Sequence, residues 1–322
     1  MSAGVTNCKE LKNVLISSLR RNYADALLLS GGLDSSILAF AGKPKVSFTV
    51  SVGDNAPDLA YAIRVAARHK IEHVVVKLTY EALLQIIEEL VTILKTFSTL
   101  EIRNSSVLLA GIKAARNEGY KYLMTGDGGD EIFAGYNYLS RFYGDMDSLD
   151  KELHKLWESM HFSSKYLGKA IGIGIRTPLL DSEFVNYAKS VRTADKIGKY
   201  KGLTWGKFIL RKCYESDLGK DIVWRPKLAQ EQGAGTSIIA SVIAEKFDDN
   251  TFASGQSKAI AESVKIRDKE HLYYYSLYRK YFPAPRDEAC NAHLHCTECR
   301  GCFPTRGQYC NICGSFPVKP EI

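Results

Sequence analysis

The residues best suited to chemistry form two glycine-rich acidic clusters, and the first directly follows a short apolar run at residues 26–29. It reads LSGGLDSS over residues 29–36. Glycines let a backbone turn with positive φ and approach a ligand closely, and a helix that begins there points unpaired N–H groups outward. Such a turn binds phosphate. The serine hydroxyls can donate to phosphoryl oxygens, and Asp34 can hold the Mg²⁺ that accompanies a polyphosphate. The simpler alternative is an ordinary strand–turn–helix connection in which a serine caps the helix.

The second cluster reads LMTGDGGDEIFAGY over residues 123–136, where an apolar run meets three carboxylates and several glycines. Acidic groups at the carboxyl edge of a parallel sheet can complete Mg²⁺ coordination opposite Asp34. One carboxylate would then remain for proton transfer. The alternative is an acidic turn that only caps a helix.

Cysteines form a third cluster, because six of the eight lie between Cys290 and Cys313. Two C-x₂-C pairs, ten residues apart, have the spacing of a tetrahedral zinc site, and a module this short needs the metal to fold. The predicted ligands are Cys296, Cys299, Cys310 and Cys313, with Cys290, Cys302, His293 and His295 as alternates. Thiols gathered in this way, in a chain without an export signal, predict a reducing compartment.

Up to about residue 145, segments with the hydrophobic periodicity of strands alternate with segments that have the periodicity of helices, and these elements position the clusters. Apolar spacing predicts strands at 26–29, 46–52, 71–78 and 121–125, and helices at 11–19, 37–41, from Pro57, at 80–96 and at 107–115. Strands that alternate with helices predict an α/β fold with a doubly wound parallel sheet, covered on both faces. Beyond residue 145 the strand signal fades and helices are predicted to residue 282.

Composition and the positions of proline-containing breaks predict three domains. We expect a nucleotide-binding core at 1–145, a helical remainder at 146–282, and a proline-containing linker with a zinc ribbon at 283–322. The 322 residues are 45% hydrophobic and 25% charged, which is typical of globular proteins. The absence of a membrane-length apolar run or signal peptide predicts a cytoplasmic protein with no membrane partner. The net charge of +7 permits an anionic partner without requiring one.

The first cluster resembles the SGGxDS pyrophosphate loop of the ATP pyrophosphatase superfamily, and the second resembles the GDGxDExFxGY signature of asparagine synthetases and their relatives. Three further segments resemble that family in order: residues 174–181 its E-x-R-x-P-F-L-D, 207–211 its K-x-x-L-R, and 224–227 its R-x-K. Gly174 replaces the acidic residue, and Leu179 replaces the phenylalanine. The resemblance covers roughly residues 8–240, which correspond to the synthetase half only.

The resemblance implies an adenine nucleotide alpha hydrolase-like fold, ATP and Mg²⁺ as cofactors, and a set of site residues. These are Ser30, Gly31, Gly32, Asp34 and Ser35 for pyrophosphate, Asp34 and Asp130 for Mg²⁺, Leu29, Val50, Thr125 and Gly126 for adenosine, and Asp127, Lys227 and Glu131 for catalysis. Asp127 stands where some asparagine synthetases have the glutamate proposed as proton acceptor and others have aspartate, which has the shorter side chain. Lys227 matches the lysine that stabilises phosphate charge, and a merely solvated lysine is its alternative.

The substrate acid and the nitrogen source are less constrained. Residues 100–106 resemble the loop that binds the α-carboxylate of aspartate, with Arg103 as its arginine, although an exposed arginine on a helix-opening loop would look the same. The phosphate-binding loop begins by residue 30, so we expect no N-terminal glutaminase domain of the family's kind. Ammonia, an amine or a separate glutaminase is therefore expected to supply nitrogen, and a carrier protein could present the acid.

These features predict an ATP-dependent synthetase that adenylates a carboxylate, releases AMP and pyrophosphate, and forms an amide. The alternatives are a tRNA-modifying enzyme with an RNA-binding ribbon, and a non-catalytic nucleotide-binding scaffold. RNA binding is disfavoured because residues 286–322 carry equal numbers of basic and acidic residues. Sulfur-transferring tRNA enzymes also use paired cysteines, whereas Cys8 and Cys213 are far apart in this sequence.

Overall fold

The computed structural model describes residues 7–53, 56–289, 294–303 and 309–318. Its strands are β1 (Ala26–Leu28), β2 (Val46–Val52), β3 (Glu72–Leu78), β4 (Tyr122–Met124), β5 (Gly174–Arg176), β6 (Ile197–Tyr200) and β7 (Leu203–Gly206). Its helices are α1 (Cys8–Arg21), α2 (Leu33–Gly42), α3 (Pro57–His69), α4 (Tyr80–Leu94), α5 (Thr99–Asn117), α6 (Gly129–Ile132), α7 (Met146–Ser159), α8 (Ser163–Ile171), α9 (Ser182–Ser190), α10 (Thr193–Lys196), α11 (Phe208–Leu218), α12 (Lys220–Val223), α13 (Gln230–Gly233), α14 (Ile239–Ala244), α15 (Asp249–Ala261) and α16 (Lys269–Tyr281). Among the described residues, no helix combines the length and the apolar character that crossing a membrane requires.

A five-stranded sheet in the order β3-β2-β1-β4-β5 confirms the predicted α/β class. The central strand β1 pairs in parallel with β2 on one side and β4 on the other, so that Ala26 lies opposite both Val46 and Leu123. Strand order reverses between β1 and β4, and in parallel sheets ligands bind beyond the carboxyl ends of the strands at such a point. The two acidic clusters follow these two strands.

Beyond residue 145 helices dominate, as predicted, but three strands occur that the pattern did not indicate. β5 completes the sheet beside β4, and β6 pairs with β7 as an antiparallel hairpin. β5 has only three residues, Gly174-Ile175-Arg176, and so short a segment cannot display a periodicity.

The chain divides into two compact units, each assembled from separate segments. The first unit comprises residues 1–50, 57–76 and 111–229, and the second unit comprises residues 51–56, 77–110 and 230–322. The first unit has a core that includes Leu15, Leu27, Phe133, Phe184 and Tyr214. The second unit has a core that includes Leu83, Phe97, Leu272, Tyr274 and the four cysteines predicted to bind zinc. The domain boundaries expected at residues 145 and 282 would divide the chain into consecutive segments, and they stay predictions.

Two cysteines that are 205 residues apart form a disulfide in the first unit. Cys8 begins α1 and Cys213 lies in α11, and both helices pack on the same core. Their separation in the sequence did not indicate this pairing, because sequence separation does not record which helices pack together. A reducing compartment stays a prediction.

Helix α1 tests how far the core of the first unit depends on close packing. Leu15 is fully buried, whereas the next residue, Ile16, is 40% exposed. We expect Leu15→Ala to lower the free energy of unfolding by about 2–5 kcal/mol, because it removes buried methyl groups and leaves a cavity. Ile16→Ala is the matched control and should change it by no more than about 0.5 kcal/mol. Urea denaturation of both variants measures the difference, and equal losses would contradict the predicted packing.

Candidate active site

The loops after β1 and β4 lie against each other in the first unit, and glycines make this approach possible. A Cβ atom added at Gly129 would lie 2.4 Å from Cγ of Asp34, so no larger residue fits there. A Cβ atom added at Gly126 would lie 3.2 Å from Cβ of Asp34 and 3.3 Å from the backbone nitrogen of Ser35. The structure therefore brings the two acidic clusters together as the sequence predicted.

The phosphate-binding loop after β1 is held by its own hydroxyls. Gly31 has a φ of 68°, and α2 begins after Gly32. The Ser35 hydroxyl accepts from the backbone N–H of Ser30 and donates to the carbonyl of Gly32, each over 3.2 Å. The Ser30 and Ser35 hydroxyl oxygens are 3.0 Å apart. Hydrogen bonds within the loop thus stabilise its shape.

The predicted adenosine-lining residues lie in or directly beyond neighbouring strands. Leu29 follows β1 and donates its N–H to the carbonyl of Phe48 in β2. Val50 lies within β2, and Thr125 follows β4 and donates its N–H to the carbonyl of Arg176 in β5. Leu29, Val50 and Thr125 are all buried. Their roles toward adenosine stay predictions.

A lysine bridges the two carboxylates that the sequence assigned to Mg²⁺. Lys207 Nζ hydrogen-bonds to Asp34 Oδ2 and lies 2.9 Å from Asp130 Oδ1. Its backbone adopts a left-handed φ of 54° at the start of α11, and its N–H donates to the carbonyl of Phe133. Only 5% of the Lys207 side chain is exposed. A motif containing Lys207 was recognised in the sequence, but no role was assigned to it.

A second lysine completes this charge cluster. Lys227 Nζ donates to Asp130 Oδ1, lies 3.4 Å from the carbonyl of Gly135, and sits 4.8 Å from the centre of the Tyr136 ring. Two carboxylates and two ammonium groups therefore meet here, and the structure places Lys227 beside Asp130.

The electrostatics of the two carboxylates differ because their surroundings differ. Burial raises the pKa of Asp34 more than the attraction of Lys207 lowers it. Burial acts on Asp130 in the same direction, but the charges and hydrogen bonds of Lys207 and Lys227 outweigh it and lower the pKa of Asp130 to about 2. The two lysines therefore favour the ionised form of Asp130.

The residues fit a divalent cation. Asp34 Oδ1 is buried and has no hydrogen-bond partner in the described part of the chain, while Asp130 is bound to the same lysine. A buried, unpartnered carboxylate oxygen is costly unless a ligand satisfies it. Oxygen atoms of this kind are the ligands that Mg²⁺ prefers.

Glu131 is anchored on both its side chain and its backbone. The Tyr136 hydroxyl donates to Glu131 Oε1 over 2.6 Å, and Trp157 Nε1 donates to the Glu131 carbonyl over 3.1 Å. Burial raises the pKa of Glu131, and the Tyr136 hydrogen bond acts against that rise. Its predicted catalytic role stays a prediction.

Asp127, the predicted proton acceptor, is bound by hydroxyl groups. Thr125 Oγ1 donates to Asp127 Oδ2 over 2.8 Å, and Ser164 Oγ donates to the same oxygen over 2.5 Å. Burial raises the pKa of Asp127, while these two hydrogen bonds act in the opposite direction. Nothing in the sequence around Ser164 pointed to this contact.

Arg103, the predicted ligand of the substrate acid, is paired with an internal carboxylate of the second unit. Its Nε donates to Glu270 Oε1 over 2.8 Å, and its Nη2 donates to Glu270 Oε2. Tyr274 also donates to Glu270, which is only 3% exposed. The guanidinium already binds one carboxylate in two-pronged geometry, and its role toward a substrate stays a prediction.

The four predicted zinc ligands converge in the second unit and are fully buried. The sulfurs of Cys296 and Cys313 are 3.7 Å apart, and those of Cys299 and Cys310 are 3.8 Å apart. Zinc–sulfur bonds of about 2.3 Å in tetrahedral geometry separate the sulfurs by about 3.8 Å, so the cluster fits Zn²⁺. Of the alternates, Cys302 and His295 are not in the cluster, and Cys290 and His293 lie outside the described residues.

Comparison with known proteins gives one consistent result. The asparagine synthase family model matches residues 19–167 and 152–295. Asparagine synthetase B (glutamine-hydrolyzing) of Escherichia coli K12 is 26% identical over 317 residues, which cover 89% of this chain and 56% of that protein. The glutamine-hydrolyzing asparagine synthetase of Gallus gallus is 29% identical over 294 residues, which cover 84% of this chain and 51% of that protein. The chain spans about half the length of the curated relatives it matches.

The charge cluster gives a stability prediction. We expect Lys207→Met to lower the free energy of unfolding by about 3–5 kcal/mol, because it removes a buried ammonium group and leaves two partly buried carboxylates beside one remaining ammonium group. Lys12→Met is the matched control, since Lys12 pairs with Asp217 over 2.6 Å in a more exposed position, and it should cost at most about 1 kcal/mol. Urea denaturation at neutral pH compares them. A Lys207→Met loss no larger than that of the control would contradict the proposed charge balance.

Proposed function

The chain belongs to the asparagine synthase family, and from that membership we propose that it is an ATP-dependent, amide-forming synthetase. It activates a carboxylate by adenylation, releases pyrophosphate, and then transfers nitrogen with release of AMP. The observation that carries this proposal is the meeting of Asp34 and Asp130 beyond β1 and β4, with Lys207 and Lys227 beside them. A site for triphosphate chemistry requires such a combination of metal-binding oxygens and cations.

In the proposed reaction, Ser30, Gly31, Gly32, Asp34 and Ser35 bind the departing pyrophosphate, and Leu29, Val50, Thr125 and Gly126 line the adenosine. Asp34 and Asp130 would hold Mg²⁺, which neutralises phosphate charge when it is bound. Lys227 stabilises the charge that develops on the phosphates. Its ammonium group already lies beside Asp130, within reach of a ligand held there.

Asp127 is proposed to accept the proton that the attacking nitrogen loses, and Glu131 to support the same end of the site. Family members with an acidic residue at the position of Gly174 have a further carboxylate there. In this chain a Cβ atom at Gly174 would lie 2.5 Å from the Tyr122 ring, so that side chain has no space. Asp127 is therefore the proposed base.

The acid is proposed from the similarity to asparagine synthetases. Aspartate or a similar acid is the carboxylate, with Arg103 as its ligand. Ammonia, an amine or a separate glutaminase provides the nitrogen, and a carrier protein is the alternative source of the acid. Modification of tRNA is less well supported, because the cysteine cluster is buried and bonded to its own unit: the carbonyl of Ile312 accepts from the N–H of Phe97.

The test of this function is product analysis. The full chain is incubated with ATP, Mg²⁺, aspartate and saturating ammonia, and we expect AMP, pyrophosphate and asparagine in equal amounts. ADP and phosphate as products would refute adenylation. ATP binding without pyrophosphate release, with every acid and amine tried, would favour a nucleotide-binding scaffold. Tight tRNA binding with a steep salt dependence would favour RNA modification.

For the substrate acid, we expect Arg103→Ala to raise the KM for aspartate about 10- to 150-fold with little change in ATP affinity, because a charge-assisted ion pair to the acid is lost. Glu270→Gln is the matched control, since it disturbs the same pair but keeps the guanidinium. Steady-state kinetics on folded samples compare the two variants. Equal changes in the aspartate KM would mean that Arg103 acts only through Glu270.

For the metal, we expect one Zn²⁺ per chain, held by Cys296, Cys299, Cys310 and Cys313. Cys299→Ser should lose the bound zinc and lower the melting temperature, because metal binding contributes folding energy. Cys213→Ser, in the first unit, should keep the full zinc content. Elemental analysis and thermal unfolding measure both quantities. A zinc-free wild-type protein whose four cysteines react with an alkylating agent would contradict the assignment.

A further inference from the structure

The carboxylate of Asp127 is half-buried, yet in the described part of the chain it forms no ion pair. Its hydrogen bonds come from Thr125 and Ser164, and both end on Oδ2. Two donors on one oxygen fix the rotation of the carboxyl group and leave Oδ1 outside these bonds. A carboxylate held in this way has one anchored oxygen and one that can take a proton.

The two donors come from different parts of the fold. Thr125 lies two residues before Asp127, so its contact is local and follows from the turn. Ser164 lies on α8, 37 residues further along the chain, and it is fully buried. Only tertiary packing places its hydroxyl on Asp127.

The packing of α8 is specific, because a glycine lets it lie directly on β5. A Cβ atom added at Gly168 would lie 2.4 Å from Cγ1 of Ile175 and 2.8 Å from the carbonyl of Ile173. Ser164 is four residues before Gly168 and therefore lies on the same face of the helix. β5 pairs with β4, whose end leads to Asp127. The close approach of α8 to β5 thus brings Ser164 to the acidic turn.

We propose that Ser164 is a positioning residue for the reaction: its hydroxyl holds Asp127 Oδ2 so that Oδ1 faces the nitrogen nucleophile. This inference rests on the proposed function, in which Asp127 accepts the proton.

The proposal has an electrostatic consequence. Burial is the largest influence on Asp127 and raises its pKa, and the hydrogen bonds from Ser164 and Thr125 lower it, together with the positive charge of Lys165 on α8. Removing the Ser164 hydroxyl must therefore raise the pKa of Asp127 further. A base is active when ionised, so the rise of kcat with pH should move to higher pH.

The test compares kcat–pH profiles of the full chain with ATP, Mg²⁺, aspartate and ammonia. On the acidic side of the profile, we expect Ser164→Ala to lower kcat about tenfold, with recovery at high pH and an unchanged KM for ATP, because one charge-assisted hydrogen bond is lost. Ser164→Thr keeps the hydroxyl and should restore the wild-type profile. Ser18→Ala is the matched control, since Ser18 is also fully buried and donates to a backbone carbonyl over 2.5 Å. A Ser164→Ala profile that superimposes on that of Ser18→Ala would overturn the proposal.

A second measurement separates this inference from the proposed function. Carboxyl carbon NMR of the folded protein, with the Asp127 signal identified from Asp127→Asn, gives the pKa of Asp127 without turnover. A higher pKa in Ser164→Ala than in wild type and Ser18→Ala supports the contact, and identical values refute it. If the wild type releases no pyrophosphate with any acid, the proposed function fails and the NMR result alone decides the role of Ser164 toward Asp127.

Discussion

The candidate active site depends on placing two partly buried carboxylates, Asp34 and Asp130, side by side. Like charges repel, and buried charges are tolerated only when they are paired. Lys207 supplies a shared cation, and Lys227 adds a second one on Asp130. Gly129 is also required for this arrangement, because any side chain there would occupy the space of Asp34.

The rest of the first unit fixes the position of Lys207. Its N–H is bonded to the carbonyl of Phe133, and α11, which begins directly after it, is buried against the core. One turn further, Arg211 donates to the carbonyls of Gly206 and Val223. Burial lowers the pKa of Arg211 to about 10. Because this value is still above neutral pH, the guanidinium stays charged. The disulfide between Cys8 and Cys213 joins the same helix to α1.

In the second unit, hydrogen bonds connect the cysteine cluster to the residues that precede α5. The Thr96 hydroxyl donates to the carbonyl of Asn311, and Ser98 and Tyr309 share a hydrogen bond of 2.6 Å. Thr96 and Ser98 lie just before α5, the helix that carries Arg103. Arg103 is in turn bound to Glu270 on α16. The cysteine cluster therefore contributes to the position of α5, which agrees with a structural role for this cluster.

The sequence by itself determined the parts that depend on neighbouring residues. The parallel sheet, the two acidic turns and the cysteine spacing are encoded locally, by periodicity, glycine conformations and ligand spacing, and the structure brings each predicted set together. Tertiary structure alone decided the partners: Lys207 between two aspartates, Ser164 on Asp127, Glu270 on Arg103 and Cys8 with Cys213. The short strand β5 was also missed, since three residues carry no period. Each of these contacts joins segments far apart in the chain, and the packing of helices and strands, which no local pattern records, sets their distance.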